Sequence, residues 1–381
     1  MENPENFFLS IALLLGTIIG AGIFGIPYVV ARSGILPSFF YFLILGGVSL
    51  FIHLFLGEIV LRTKEKHRLA GYASKYLGGY GRYLVALSVI LGTVLALVAY
   101  IILGGRFLKI LSSPWTLLSE VTVFQFSLIF VLFLSPFVFK GIKMVAKTGF
   151  ITNVLFGLII LLIFCLSLPN FQLNNFQLLD SSNLFLPYGV ILFALTGWSA
   201  VPEMVEVLKS DEDKKKLKKA IVFSITTAIF IYLVFVLAVV GVSGLNTSEE
   251  TFEGLLFRLD NKIITLGVLA GVITIVDSFL ILSLNLKNTL IYDYGLSKIS
   301  AFFIAWGLPL FLFLLGLRHF ISVISIAGTL IGAIEGMVII SIFKKAKTLG
   351  DRKPEYSLNV HPFVVYVLTT IFVLGAFFLL I

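Results

Sequence analysis

The 381-residue sequence has one cysteine, Cys165, and four histidines. A lone cysteine excludes an intrachain disulfide, and Cys165 lies in an apolar run without metal-ligand companions. There is no HExxH, no GxSxG, no cysteine–histidine set and no cluster of acids at metal-ligand spacing. The chain is therefore not read as an enzyme, and no cofactor is expected. Charge is scarce as well. Asp, Glu, Lys and Arg make up 13% of the residues, against roughly a quarter in a soluble domain. So few charges cannot cover a soluble surface, and the mean hydropathy of +1.08 points to lipid as the main solvent. The start, MENPENFF, lacks the basic region of a secretory leader, and the apolar run after it is too long for one. No cleavage is expected.

The apolar residues come in long runs. Crossing ~30 Å of hydrocarbon at about 1.5 Å per residue takes about 20 of them. Eleven segments qualify: 7–31, 36–61, 83–110, 121–139, 149–168, 184–208, 220–242, 263–286, 299–317, 320–343 and 362–381. The net charge of +8 does not call for nucleic acid, because the Lys and Arg residues are scattered over loops between these spans. Their expected partner is the bilayer. With a cytoplasmic N-terminus, the inner segments hold 22 of the 28 basic residues, Lys143, Lys147 and the run at 214–219 among them. The outer segments hold only Arg32, Arg106, Lys109, Arg258, Lys262 and Arg318. A wrong span count would scramble this alternation, so the bias supports both the count and the orientation in a cell membrane, plasma or inner. Residues 69–80 read as an interfacial helix with tyrosines at headgroup level. Residues 247–262 open with a capping signal and read equally as an outer lid or a solvated loop.

Two spans carry interruptions. The first contains GTIIGAGIFGIPY, with Gly16, Gly20, Gly22, Gly25 and Pro27; the sixth contains FALTGWSAVPE. Glycine lowers the cost of leaving helical geometry, and proline removes a donor. Gly197 precedes Pro202 by five residues, as Gly22 precedes Pro27. The two elements are offset by five spans, an odd number, which inverts the second half of the chain relative to the first. Matched interruptions in inverted halves mark a midplane substrate site. Helix packing through small residues accounts for Gly16 and Gly20 equally well.

These motifs carry a resemblance. GTIIGAGIFGIPY resembles the first-helix signature of the amino acid–polyamine–organocation superfamily, and is most similar to its amino acid/auxin permease and aromatic amino acid permease branches. FALTGWSAVPE resembles their sixth-helix motif, and Tyr72 with Leu77-Gly78 resembles the loop before the third helix. The resemblance covers spans one to ten. It implies an all-α integral membrane fold of the LeuT type, a five-plus-five inverted repeat plus one C-terminal helix. Residues 1–381 then form one transmembrane domain, with repeats at about 7–168 and 184–343 and the added helix at 362–381. The implied function is alternating-access transport of an amino acid with a cation.

An amino acid brings a carboxylate and an ammonium. The break in the first span offers freed N–H groups to the carboxylate, and the resemblance places Ala21, Gly22 and Ile23 there. Carbonyls near Gly20, Phe193, Ala194 and Thr196, beside Gly197, would accept from the ammonium. Phe193 and Trp198 would wall the side-chain pocket, although lipid or core packing explains both equally. Tyr100 lies at a depth where its hydroxyl reaches a bound carboxylate, or else it sits at the outer interface. Glu203 is the one acid near the sixth-span break; otherwise the site suits a neutral amino acid.

The eighth span holds Thr274, Asp277 and Ser278 on one helical face. Asp277 lies about fourteen residues in, roughly 21 Å along the helix. Acids inside a span are costly and usually functional. Hard cations take several oxygen ligands, which a carbonyl at Thr274, the carboxylate and the Ser278 hydroxyl would supply. By the resemblance, sodium-coupled relatives add first-helix carbonyls, here Gly16 and Ile19. The Asp-Ser pair is closer to neurotransmitter sodium symporters than to aromatic permeases. Asp277 can equally carry a proton or serve a structural hydrogen bond. Glu58 and Arg62 read as a local ion pair, Glu335 as an interhelical bond or pathway group, and His53 as a satisfied packing residue. An exchanger, a proton-coupled permease and an amino acid sensor all fit the same fold. A channel fits less well, because it needs a continuous polar lining.

Overall fold

The computed structural model describes residues 4–113, 118, 120–140, 149–256, 258–292 and 294–378. In lipid each backbone polar group must find its partner within the protein, and a helix does this inside one segment. The first span is a bent pair, α1 (Pro4–Ile18) and α2 (Gly22–Ser33), meeting at 56°. It is followed by α3 (Ile35–Arg62), the short α4 (Leu69–Leu77), α5 (Gly79–Ser112), α6 (Val123–Lys140) and α7 (Gly149–Ser167). The sixth span is also divided, into α8 (Leu186–Ala194) and α9 (Val201–Val207), with a tight turn at Trp198–Ala200. Then come α10 (Asp211–Lys214), α11 (Leu217–Ser243) and α12 (Asn261–Tyr292). α13 (Lys298–Phe302) and α14 (Leu308–Leu314) flank a π-turn at Phe303–Gly307. α15 (Phe320–Ile326) and α16 (Gly332–Leu349) flank another at Ala327–Ile331. α17 (Pro362–Phe378) ends the described chain.

The described residues are all-helical apart from turns and one isolated bridge, Ser248 to Thr251. Among the described residues seven helices are long and apolar enough to cross a bilayer, and the bent pair makes eight. Three shorter apolar helices, Val154–Asn170, Lys298–Leu314 and Pro362–Phe377, stand where the fifth, ninth and eleventh spans are expected.

Loops gather at two ends, as the alternation of charge requires. At the basic end Asn6 donates to Asp213 at 3.3 Å, Arg68 pairs with Glu203 at 3.3 Å, and Lys75 pairs with Asp351 at 2.5 Å. Buried Glu58 pairs with Arg62 at 2.7 Å, as its i, i+4 spacing predicts, and also accepts from the Leu358 N–H at 2.6 Å. At the opposite end Asp180 donates its N–H to the Ser33 carbonyl at 2.8 Å, and Gln172 donates to Gly241 at 2.8 Å. Lys143 and Lys147 lie outside the described residues. The helix expected at 69–80 is present as α4, but Tyr72 and Tyr76 turn inward rather than toward headgroups. The Tyr76 hydroxyl shares a 2.8 Å hydrogen bond with Thr63. Residues 247–255 pack onto the bundle rather than standing free in solvent. Phe252 is buried with Phe24 and Phe107, and the Thr251 hydroxyl donates to the Phe24 carbonyl at 2.7 Å.

Candidate functional site

The two breaks meet inside the bundle. At the end of α1, Ile19 still donates to Leu15 at 2.8 Å, but Gly20 donates to Ile18 at 3.0 Å and the helix stops. The Ala21 N–H leaves the backbone ladder and donates to the Tyr100 hydroxyl at 3.3 Å. A Cβ on Gly20 would sit 2.7 Å from that hydroxyl, and a Cβ on Gly22 would sit 2.6 Å from the Cα of Ala194. At Gly22 the neighbour is backbone, so only glycine permits the approach that brings the main chains of the two broken spans together there. Gly22 and Ile23 open α2, where helix geometry leaves the first N–H groups without intrahelical acceptors.

In the sixth span, Leu195 donates to Ile191 at 3.0 Å and Thr196 donates to Phe193 at 3.1 Å. The Thr196 hydroxyl turns back onto the Phe193 carbonyl at 2.6 Å, and Ser49 donates to the Leu195 carbonyl at 2.8 Å. Fully buried Tyr232 on α11 places its hydroxyl 2.8 Å from both the Ile18 and the Ala194 carbonyls. These are the last carbonyls of α1 and α8. One hydroxyl hydrogen is shared between them, so α11 ties both helix ends at one point. No sequence pattern marks Tyr232, which stands in an otherwise apolar run.

Tyr100 also faces Ser278 and Asp277 on α12. It thus links the break to the eighth span. Asp277 is 8% exposed, and its Oδ1 is buried without a hydrogen-bond partner. A buried unpaired carboxylate oxygen is costly unless it receives a proton or a cation. The Thr274 hydroxyl is turned back onto the Ala270 carbonyl at 3.0 Å. Gly16 lies one turn before the break and Ile19 within it; the described link from the break to Asp277 runs through Tyr100. Phe193 and Thr196 are half-buried, and Ile23 is fully buried. Trp198 is buried and directs its indole N–H to Glu335 at 2.6 Å, with the His53 ring 5.8 Å away. Glu203 is not part of this site: it stands at the basic end, paired with Arg68. His53 departs from the satisfied state expected of it, since Nδ1 meets the Ser49 carbonyl at 2.7 Å while Nε2 has no partner.

Broken helices meeting back to back inside a bundle of apolar spans define a multi-pass membrane permease. Over residues 3–379 the sequence matches the tryptophan/tyrosine permease family, and the chain belongs to it. It is similar to Glutamine transporter 2 of Aliivibrio fischeri, with 25% identity over 337 residues, covering 86% of this chain and 85% of the relative. Its fold is that of MhsT, solved in complex with L-phenylalanine. The TM-score is 0.67 at 18% identity, covering 96% of this chain and 98% of MhsT. The protein is thus an amino acid permease of the LeuT-type fold.

Proposed function

We propose that this permease is a cation-coupled symporter of neutral amino acids working by alternating access. The observation that carries the reading is the meeting of the two breaks, with Gly22 against Ala194 and both helix ends held by Tyr232. The substrate carboxylate is received at the N-terminus of α2 by Gly22 and Ile23, next to Ala21 and Tyr100. The ammonium is received by carbonyls around Gly20, Phe193 and Thr196. Phe193 and Trp198 close the pocket around the side chain. Glu203, the acid nearest the sixth-span break in the sequence, is held at the basic end by Arg68 and not at the pocket. The relatives agree with a neutral cargo, one being a glutamine transporter and the other holding L-phenylalanine.

The coupling cation belongs at Asp277 with Ser278 and Thr274, and Gly16 and Ile19 complete the shell if it is sodium. The support for this is the unpartnered Oδ1 beside Tyr100, the residue that touches the break. Sodium and a proton remain two forms of this reading. Eleven spans in a cell membrane, with the basic end cytoplasmic and residues 7–168 and 184–343 as inverted repeats, complete it.

The test is uptake of labelled neutral amino acids into proteoliposomes under an inward sodium or an inward proton gradient, with wild type beside Asp277→Asn. Sodium-driven accumulation lost in the variant supports the sodium site. Proton-driven accumulation lost in the variant assigns Asp277 as the proton carrier. Folded protein without uptake under either gradient overturns symport.

A further inference from the structure

Asp277 is not the only acid within the spans. Glu335 lies midway along the tenth span, which runs Phe320–Leu349. Its Oε2 accepts the Trp198 indole N–H at 2.6 Å, and Ser88 of α5 also faces it. Ser88 and Tyr100 lie twelve residues apart on α5. That puts Glu335 and Asp277 at levels about 18 Å apart along that helix. Among the described residues Glu335 has no ion-pair partner. The elements packed on α16 include α3, α4, α5 and α17. Their charged and titratable groups are Tyr41, His53, Glu58 and Arg62 on α3, Tyr72, Lys75 and Tyr76 on α4, Tyr80, Arg82, Tyr83, Tyr100, Arg106 and Lys109 on α5, and Tyr366 on α17. Glu58 holds Arg62 and reaches Lys347 at 3.8 Å, Lys75 holds Asp351, and Lys344 lies over Tyr366.

The His53 ring lies 5.8 Å from the same indole. Its Nδ1 donates to the Ser49 carbonyl, so Nε2 of the neutral ring is a bare acceptor. That nitrogen is fully buried, has no partner, and lies 3.3 Å from where a Cβ on Gly197 would stand. Trp198, the first residue past the break, is thus flanked by two proton-accepting side chains. At the basic end a cavity of about 300 Å³ reaches Val60, Thr63, Tyr72, Pro202 and Glu206. Pro202 is four residues beyond Trp198, about one helical turn.

We infer that Glu335 is a second proton-binding site, separate from Asp277, and that proton uptake there frees Trp198 and loosens the sixth-span break from the tenth span. The inference rests on the transport reading for its purpose but not for its test. An ionised carboxylate holds an indole N–H about twice as strongly as a neutral acid does. The carboxylate takes a proton from water at the basic end, becomes a neutral acid, and gives the proton back when that end opens again. The bond then acts as a latch between the two spans that flank the proposed substrate pocket.

The sequence has three tryptophans, so a Trp115→Phe/Trp306→Phe background leaves Trp198 as the only indole. Its emission is titrated with pH in lipid nanodiscs. The expected result is one step in the parent, absent from Glu335→Gln, displaced in Glu335→Asp and retained in His53→Gln. Glu335→Asp keeps the test open if Glu335→Gln does not fold. A step that survives Glu335→Gln, a parent without a step, or a step lost only in His53→Gln overturns the assignment. In proteoliposomes, Glu335→Gln should lose the dependence of uptake on pH at the basic end while still binding substrate. If the wild type binds no neutral amino acid, the transport reading fails, and the fluorescence titration still decides the role of Glu335.

Discussion

Gly22 stands where one methyl group would press on the Cα and Cβ of Ala194, at 2.6 and 2.7 Å. The Cα is main chain and the Cβ is fixed to it, so neither can swing away. Gly22→Ala should therefore cost about 1–3 kcal/mol, the usual penalty for overpacking, and should abolish uptake by separating the breaks. Gly47→Ala is the control, since nothing lies within 4 Å of its added Cβ. Thermal unfolding of the two purified variants should separate them clearly. Tyr232→Phe removes the hydroxyl shared by the Ile18 and Ala194 carbonyls. Leaving buried acceptors unpaired costs about 1–3 kcal/mol. Because those carbonyls end α1 and α8, substrate affinity should fall along with stability. Equilibrium binding to detergent-solubilised protein reads the affinity, and unchanged affinity would detach Tyr232 from the site. Gly22 is legible in the sequence because glycine before a membrane proline is a pattern. Tyr232 is not, because its role depends on two helix ends more than 35 residues away in the chain.

At the scale of elements, the lid is the part tuned by solvent conditions. Thr251 holds a φ of 78°, a left-handed conformation that costs about 1–3 kcal/mol for a residue other than glycine. Its hydroxyl bond to Phe24 and the burial of Phe252 hold it there. Next to it, Glu250 is fully buried beside Arg106. Burial, opposed by the Arg106 charge and reinforced by Glu253, raises its carboxyl from the ordinary 4.5 to about 7. Between those two values the closed lid keeps a proton that an opened loop would release. This contribution to closure is complete below about pH 4.5 and is lost as pH rises through about 7. Hydrogen exchange over residues 247–256, corrected for intrinsic rates, should report more opening at alkaline than at acid pH. Glu250→Gln should flatten that dependence; an unchanged dependence would assign it to another group. The loop's capping signal left a lid and a solvated loop equally open, because closure is decided by Phe24, Phe107 and Arg106 on other spans. The π-turns at Phe303–Gly307 and Ala327–Ile331 were equally hidden. They add one residue to a helical turn without any change in an apolar composition.

At the scale of the whole molecule, the uneven distribution of basic residues and the fold constrain one another. The scarcity of charge made the spans legible, since each polar interruption in a 13%-charged chain stands out. The broken spans were legible through Gly22 and Pro27, and through Gly197 and Pro202. The assignment of polar residues to the site was less so. Glu203 moved to the basic end through Arg68, and Trp198 turned to Glu335, because both outcomes depend on partners distant in sequence. Topology carries the prediction that ties these levels together. Loops at 63–68, 208–216 and 350–361 lie at one end, where Asn6 reaches Asp213, Arg68 reaches Glu203 of α9 and Asp351 holds Lys75 of α4. Loops at 171–183 and 247–255 share the other end with the tip of α2, Arg106 and Gly241. In a Cys165→Ser background, cysteines placed at Lys66, Asp211 or Arg352 should react with an impermeant thiol reagent only after the cells are opened. Cysteines at Ser182 or Glu249 should react in intact cells. A tag fused after Ile381 should be reached from outside, because an odd number of spans carries the chain to the face opposite its start. Protection of that tag, with the loop cysteines as expected, would mean that α17 does not cross and that ten spans suffice. Reversal of the loop cysteines would overturn the orientation drawn from the Lys and Arg bias, and with it the side from which protons reach Glu335.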